Sequence, residues 1–126
     1  MNLYCGKILR VNLSTKKVKF EDLNQDWADQ YIGGKGLGFR YILEEIDPKI
    51  DPLSEDNKLL FFTGPFAGTI VPTSSRLVVI TKSPATGGIL DSYVGGSIAA
   101  EIKYAGIDAV IIEGKSKSPA YLEITD

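Results

Sequence analysis

The side chains with chemistry to offer are few. The chain has 126 residues, no histidine and one cysteine, Cys5. It therefore lacks an imidazole general base, and a single copy supplies neither a common Cys/His zinc site nor a four-cysteine iron–sulfur cluster. A lone cysteine of this kind reads as a small buried apolar residue rather than a redox group. What remains is concentrated in residues 63–96, where Gly, Ser, Thr and Pro clusters alternate with short apolar runs: Thr-Gly-Pro-Phe-Ala-Gly-Thr, then Pro-Thr-Ser-Ser-Arg, Thr-Lys-Ser-Pro-Ala-Thr-Gly-Gly and Asp-Ser-Tyr-Val-Gly-Gly. Such clusters pack no core, so they connect strands or hold a ligand. Their length favours a ligand, met by backbone N–H groups, hydroxyls and the guanidinium of Arg76.

A second cluster, Gly-Gly-Lys-Gly-Leu-Gly (33–38), invites a nucleotide reading. A P-loop requires Gly-x-x-x-x-Gly-Lys-Ser/Thr, whereas Lys35 lies among the glycines and Leu37 follows Gly36. A dinucleotide fingerprint follows a strand, and these glycines follow a helical pattern. Two readings stay open. The glycines let one backbone approach another, or Lys35 and the first amides of the following helix meet a ligand phosphate.

The elements that position these residues can be read in order. Residues 7–13 alternate, with Arg10 and Asn12 set against Leu9, Val11 and Leu13, and Val18 and Phe20 alternate after the turn Ser-Thr-Lys, which predicts a β-hairpin. Asn24 or Asp26 caps a short helix over 27–32, ended by Gly33. A second helix follows, with Leu37, Tyr41, Ile42 and Ile46 on one face, and Asp47-Pro48 ends it. Residues 58–63 and 76–81 read as buried strands, and 88–91 as a short strand returning beside the latter. A third helix spans 95–106, entered through glycines and closed by Gly106, its N-terminus free to meet an anion. Residues 109–113 and 120–124 are two last strands. The total is about seven short strands and three helices, an α+β pattern in a single domain over 1–126.

Bulk properties bound the function. Apolar residues make up 44% and charged residues 24%, which fits one globular domain, and no apolar run approaches the roughly 20 residues needed to span a bilayer. The first residues, Met-Asn-Leu-Tyr-Cys-Gly-Lys, carry no signal-peptide pattern, so a cytoplasmic location is expected. The formal charge is −2 with no basic stripe, which argues against nucleic acid as partner.

Eight pieces in order carry a resemblance: Gly-Lys-Ile-Leu-Arg-Val-Asn-Leu-Ser-Thr (6–15), the glycine cluster (33–38), Asp-Pro-Leu-Ser-Glu-Asp-Asn-Lys-Leu (51–59), Thr-Gly-Pro (63–65), Pro-Thr-Ser-Ser-Arg (72–76), Thr-Lys-Ser-Pro-Ala-Thr-Gly (81–87), Val-Gly-Gly (94–96) and Lys-Tyr-Ala-Gly-Ile-Asp-Ala (103–109). Together they resemble the N-terminal region of the tungsten-dependent aldehyde:ferredoxin oxidoreductases. Each is weak alone, but they span nearly the whole chain.

The resemblance implies a domain that cradles tungsten held by two pterin dithiolenes, with magnesium bridging the pterin phosphates. It further implies aldehyde oxidation to carboxylic acids, with electrons passing through a 4Fe–4S cluster to ferredoxin. The family's first domain is α+β, built from two sheets about a pseudo-twofold axis; this chain corresponds to its first part, with the cluster cysteines and the acid/base residues in later domains. By position, Arg76 meets a pterin phosphate, and residues 92–96 supply main-chain groups: the carbonyl of Tyr93 to magnesium, and amides from Gly95 and Gly96 onward to phosphate, with Ser92 in the same segment. The family often has Asn where this chain has Tyr93, a change a backbone carbonyl tolerates.

On this reading the 126-residue chain alone is inactive, being the cofactor-binding part of a larger oxidoreductase. The alternative is a stand-alone binding module for a phosphorylated pterin or nucleotide. Because the strands at 59–63, 77–81 and 109–113 are continuously apolar and three short helices cover little more than one face, the isolated chain is also expected to form a homodimer.

Overall fold

The structure, a computed structural model, describes residues 3–125. Its elements are β1 (Lys7–Asn12), β2 (Lys17–Asp22), α1 (Gln25–Tyr31), α2 (Gly34–Glu45), β3 (Lys58–Thr63), β4 (Leu77–Lys82), β5 (Ile89–Val94), α3 (Ile98–Tyr104) and β6 (Ala109–Glu113). The six strands form one mixed sheet in the order β2-β1-β6-β3-β4-β5, in which only β1 and β6 run parallel. This is a mixed α+β fold with three helices, as the sequence pattern predicts.

Each strand's alternation sends residues to two faces. Ile8, Leu60, Phe62, Val78, Ile80 and Ile111 pack against Leu37, Tyr41 and Ile42 of α2 and Ala28 of α1. On the opposite face Leu9, Val11, Leu77 and Val110 meet Ala99 and Ile102 of α3, joined by Ala67 and Ile107. The α1 cap is Asn24, whose Oδ1 accepts from Trp27 N at 3.0 Å; Asp26 lies in the first turn, where its charge suits the helix start.

Several expectations are corrected. Residues 120–124 form no strand: β6, the strand they follow, already has β1 and β3 on its two sides, so the segment finds no place beside it. Instead, Leu122 and Ile124 lie beside α3 and line a cavity of about 590 Å³ with Phe61, Leu77 and Ile102. The strand expected over 88–91 runs on to Val94, because β4 offers it six partners, down to Leu77 opposite Val94. The third helix starts at Ile98 rather than at the glycines, because Gly96, with φ of 88°, lies outside the right-handed helical region. Cys5 is exposed, its Sγ donating to the carbonyl of Lys103 at 3.4 Å, because residues 3–6 run over the surface before β1. Arg10, placed by alternation among polar outward residues, is 8% exposed and sits in an ion network described below.

Candidate functional site

The sheet delivers the two halves of the candidate site to one end. Thr63 closes β3 opposite Leu77, and Leu77 opens β4 opposite Val94, the last residue of β5. Arg76 and Gly95 are therefore the first residues off the ladder on adjacent strands. Arg76 is exposed, and among the described residues it makes no ion pair or side-chain hydrogen bond. Gly96 has φ of 88°, a left-handed conformation that glycine adopts without strain, and no atom lies within 4 Å of where a Cβ on Gly95 or Gly96 would stand. An unpaired guanidinium and an open glycine bend thus share one end of the sheet.

The loop ahead of Arg76 is held by its own hydroxyls. Ser74 Oγ lies 2.8 Å from the carbonyl oxygens of both Phe66 and Val71, which share its single proton, and Thr69 Oγ1 donates to Phe66 O at 2.7 Å. Ala67 is buried against the core, and Tyr104 OH donates to Gly68 O at 3.3 Å. The hydroxyls of Thr69 and Ser74, expected to face a ligand, therefore spend their protons on the loop itself, which fixes where β4 and Arg76 begin. Ser83, in the turn before β5, is likewise used locally, its Oγ accepting from Ala85 N and Thr86 N.

Ser92 and Tyr93 lie within β5, opposite Val79 and Val78, so their side chains point to opposite faces. The structure brings Arg76, Gly95 and Gly96 together and leaves Ser92 and Tyr93 in the edge strand, able to contribute main chain alone to a common site. Ser97 precedes α3 without a side-chain cap, and the helix has only seven residues.

The two readings of the glycine cluster separate here. A Cβ on Gly33 would stand 2.9 Å from Pro65 Cδ, one on Gly36 would stand 2.7 Å from Tyr31 O, and one on Gly38 would land on the Ile80 side chain. Close packing accounts for all three. Lys35 reaches across to β5, with Nζ 3.1 Å from Asp91 Oδ1, so its charge is already engaged.

Two charged clusters escaped the sequence reading. Arg10 donates to Glu21 at 2.6 and 3.0 Å, to Glu45 at 2.8 and 2.9 Å and to Glu113 at 3.1 Å, while Lys58 Nζ meets Glu45 at 2.7 Å and Glu113 at 3.2 Å. Hydrogen bonding to Glu45 outweighs burial and holds the guanidinium's pKa above its ordinary value. Burial pushes Glu45 and Glu113 upward, yet the hydrogen bonds and charges of Arg10 and Lys58 prevail and keep both below the usual carboxylate range. The second cluster joins Lys103 to Asp108 at 2.6 Å, nearly out of solvent. The adjacency of Lys58, Glu113 and Arg10 depends on strand order, which the sequence does not carry; the motif holding Lys103 and Asp108 was visible without its role.

The donor set suits an anion. A phosphate takes an unspent cation and backbone amides, and Arg76 with the open bend at Gly95 and Gly96 offers groups of both kinds. Among the described residues no group of three or more His, Cys, Asp or Glu is placed to hold a metal ion, and no helix is long and apolar enough to cross a membrane.

Comparison with known proteins bears on the whole chain. The family model for the aldehyde ferredoxin oxidoreductase N-terminal domain matches residues 8–126. The tungsten-containing aldehyde ferredoxin oxidoreductase of Pyrococcus horikoshii is 52% identical over 123 residues, covering 98% of this chain and 20% of the relative. The WOR-like subunit of an aliphatic sulfonate oxidoreductase from Pyrococcus furiosus is 39% identical over 127 residues, with the same coverage. Among solved structures, the active site complex BamBC of benzoyl coenzyme A reductase in complex with 1,5-dienoyl-CoA matches with a TM-score of 0.90 at 32% identity, over 92% of this chain and 18% of that chain. The chain thus spans about a fifth of the length of the curated relatives it matches. With nearly every residue inside the family model and a relative that is 52% identical along 98% of this sequence, the chain belongs to the aldehyde ferredoxin oxidoreductase N-terminal domain family.

Proposed function

We propose that this chain holds the phosphates of a metal–pterin cofactor within a larger oxidoreductase that oxidises aldehydes to carboxylic acids and passes the electrons through a 4Fe–4S cluster to ferredoxin. One observation carries the reading: Arg76, unpaired and exposed, leaves the sheet beside the open bend at Gly95 and Gly96. Arg76 clasps a phosphate with its planar fork, and the amides of Gly95 and Gly96 donate to phosphate oxygens. The main chain of Ser92 and Tyr93 lines the same edge, with the Tyr93 carbonyl offered to magnesium, a cation that takes oxygen ligands. When bound, the tungsten–pterin centre supplies the two-electron chemistry. The role of this chain is to fix where that centre sits.

The aldehyde as substrate is supported by the tungsten-containing relatives at 46–52% identity, against 39% for the sulfonate oxidoreductase subunit. The test is Arg76→Ala in the complete protein, with pterin and metal content measured after purification. Loss of charged hydrogen bonds worth about 1.5–3 kcal/mol lowers occupancy. Arg76→Lys, which keeps the charge without the fork, recovers part of it. Normal pterin and metal occupancy in Arg76→Ala would overturn the phosphate role.

A further inference from the structure

The strand that leads into Gly95 and Gly96 has little to hold it. β5 lies at one edge of the sheet and pairs with β4 alone, and Asp91 is its only residue that is not exposed. Among the described residues Asp91 is also the only member of β5 whose side chain makes an ion pair or hydrogen bond. Its partner is Lys35 of α2, whose Nζ lies 3.1 Å from Asp91 Oδ1 and 5.1 Å from the centroid of the Phe39 ring. An edge strand of this kind opens more readily than its interior neighbours, and a tie to a packed helix opposes the opening.

Lys35 can serve as that tie because the turn that carries it is itself fixed. A Cβ on Gly33 would stand 2.9 Å from Pro65 Cδ and 3.3 Å from Thr63 O, and one on Gly34 would stand 4.0 Å from Val78 Cγ1. The start of α2 therefore rests on the end of β3 and on β4, and Lys35 carries the contact on to β5. Asp91 and Tyr93 lie opposite Ile80 and Val78, so they share the face of the sheet that α2 covers. The pair thus acts on the stretch of β5 that runs into the open bend.

We propose that Lys35 and Asp91 are positioning residues: their ion pair holds β5 against α2, and so sets the place of the Tyr93 carbonyl and of the Gly95 and Gly96 amides for the cofactor. The proposal rests on the cofactor reading of that segment, and neither side chain touches the cofactor. About half of the Lys35 side chain stays in water, which keeps the effect small.

The test reads two quantities in the complete protein: hydrogen exchange of the peptide carrying residues 89–96, and pterin and metal content. Asp91→Asn, which keeps the shape of the side chain and removes its charge, speeds exchange in that peptide by about 1.5- to 5-fold and lowers cofactor content, less than Arg76→Ala does. Lys35→Met does the same, Lys35→Arg restores both readings, and Lys35→Met with Asp91→Asn is no worse than the worse single variant, because the two groups act as one. Added to Arg76→Ala, Asp91→Asn still speeds exchange, so the exchange reports the ion pair and not the loss of cofactor. Unchanged exchange in Asp91→Asn would overturn the proposal alone. So would full cofactor content in Asp91→Asn where Arg76→Ala loses its cofactor, or a raised content in Asp91→Asn, which would mean that the released Lys35 meets the phosphate itself. Full content in Arg76→Ala would overturn the cofactor reading, and the proposal with it.

Discussion

Asp108 accepts from the amides of Cys5 at 3.0 Å and Gly6 at 2.7 Å and from Lys103 Nζ at 2.6 Å, while its own carbonyl accepts from Thr63 Oγ1 at 2.8 Å. Lys103 Nζ in turn donates to Leu3 O at 2.8 Å, so one ion pair ties the segment before β1 to α3 and to the end of β3. The carboxylate is 3% exposed, so removing it leaves an ammonium and two amides short of their acceptor in a place water hardly reaches. Asp108→Ala is expected to lower stability by about 3–5 kcal/mol, read as a fall in the urea midpoint; a change under about 1 kcal/mol would show that the clasp contributes little. The sequence displayed Lys103 and Asp108 within one motif, but their partners at Leu3, Cys5 and Gly6 lie about a hundred residues away. Cys5 was misread for the same reason. A small apolar side chain suggests burial, whereas its main chain is pinned at the surface by this carboxylate. Arg76 stands out in the sequence because its neighbours are loop formers, and among the described residues nothing pairs with its charge.

At the scale of elements, α2 is set against the sheet by glycines rather than by its apolar residues alone. Its contact with β3 and β4 is closest at Gly38, where an added Cβ would run into the Ile80 side chain and come within 3.2 Å of the Phe62 ring. Alanine is worth up to about 1 kcal/mol more than glycine inside a helix, which favours the substitution locally. Overpacking a filled core costs about 1–3 kcal/mol, and that effect wins because Ile80 and Phe62 are fully buried and have nowhere to move. Gly38→Ala is therefore expected to be less stable than the parent in thermal melts despite its better helix propensity; a higher Tm would mean that α2 slides outward at little cost. Periodicity found α2 and its apolar face because a twelve-residue helix repeats its pattern over several turns. It misjudged residues 120–124 because alternation reports which face a residue prefers, not whether the strand before it is already paired on both sides. Strand β5 overran its expected end for the converse reason: its partner residues on β4 continue to Leu77.

For the whole molecule, the cluster of Arg10, Lys58, Glu21, Glu45 and Glu113 joins β1, β3, β2, α2 and β6 at a single point. Two cations face three carboxylates there, and Glu45 and Glu113 have pKa values held below the usual carboxylate range. A carboxyl whose folded pKa lies below its unfolded value takes up its proton more readily in the unfolded chain. The stabilisation is thus fully present above the unfolded value of about 4.3, and is lost as pH falls through the lower folded values. Thermal stability is expected to be flat for this group from pH 7 to about 5 and to fall below about pH 4. Glu45→Gln separates this cluster from the other carboxylates. It removes the acceptor shared by Arg10 and Lys58 but leaves Glu21 and Glu113 to balance the two cations, so the loss at pH 7 is about 1–3 kcal/mol rather than that of an unpaired buried charge. The variant also has one fewer depressed carboxyl to protonate, so the gap between it and the parent narrows as pH falls from 5 towards 3. Melts of both proteins across that range read the gap directly, and a gap that stays constant or widens in acid would place the acid sensitivity outside this cluster.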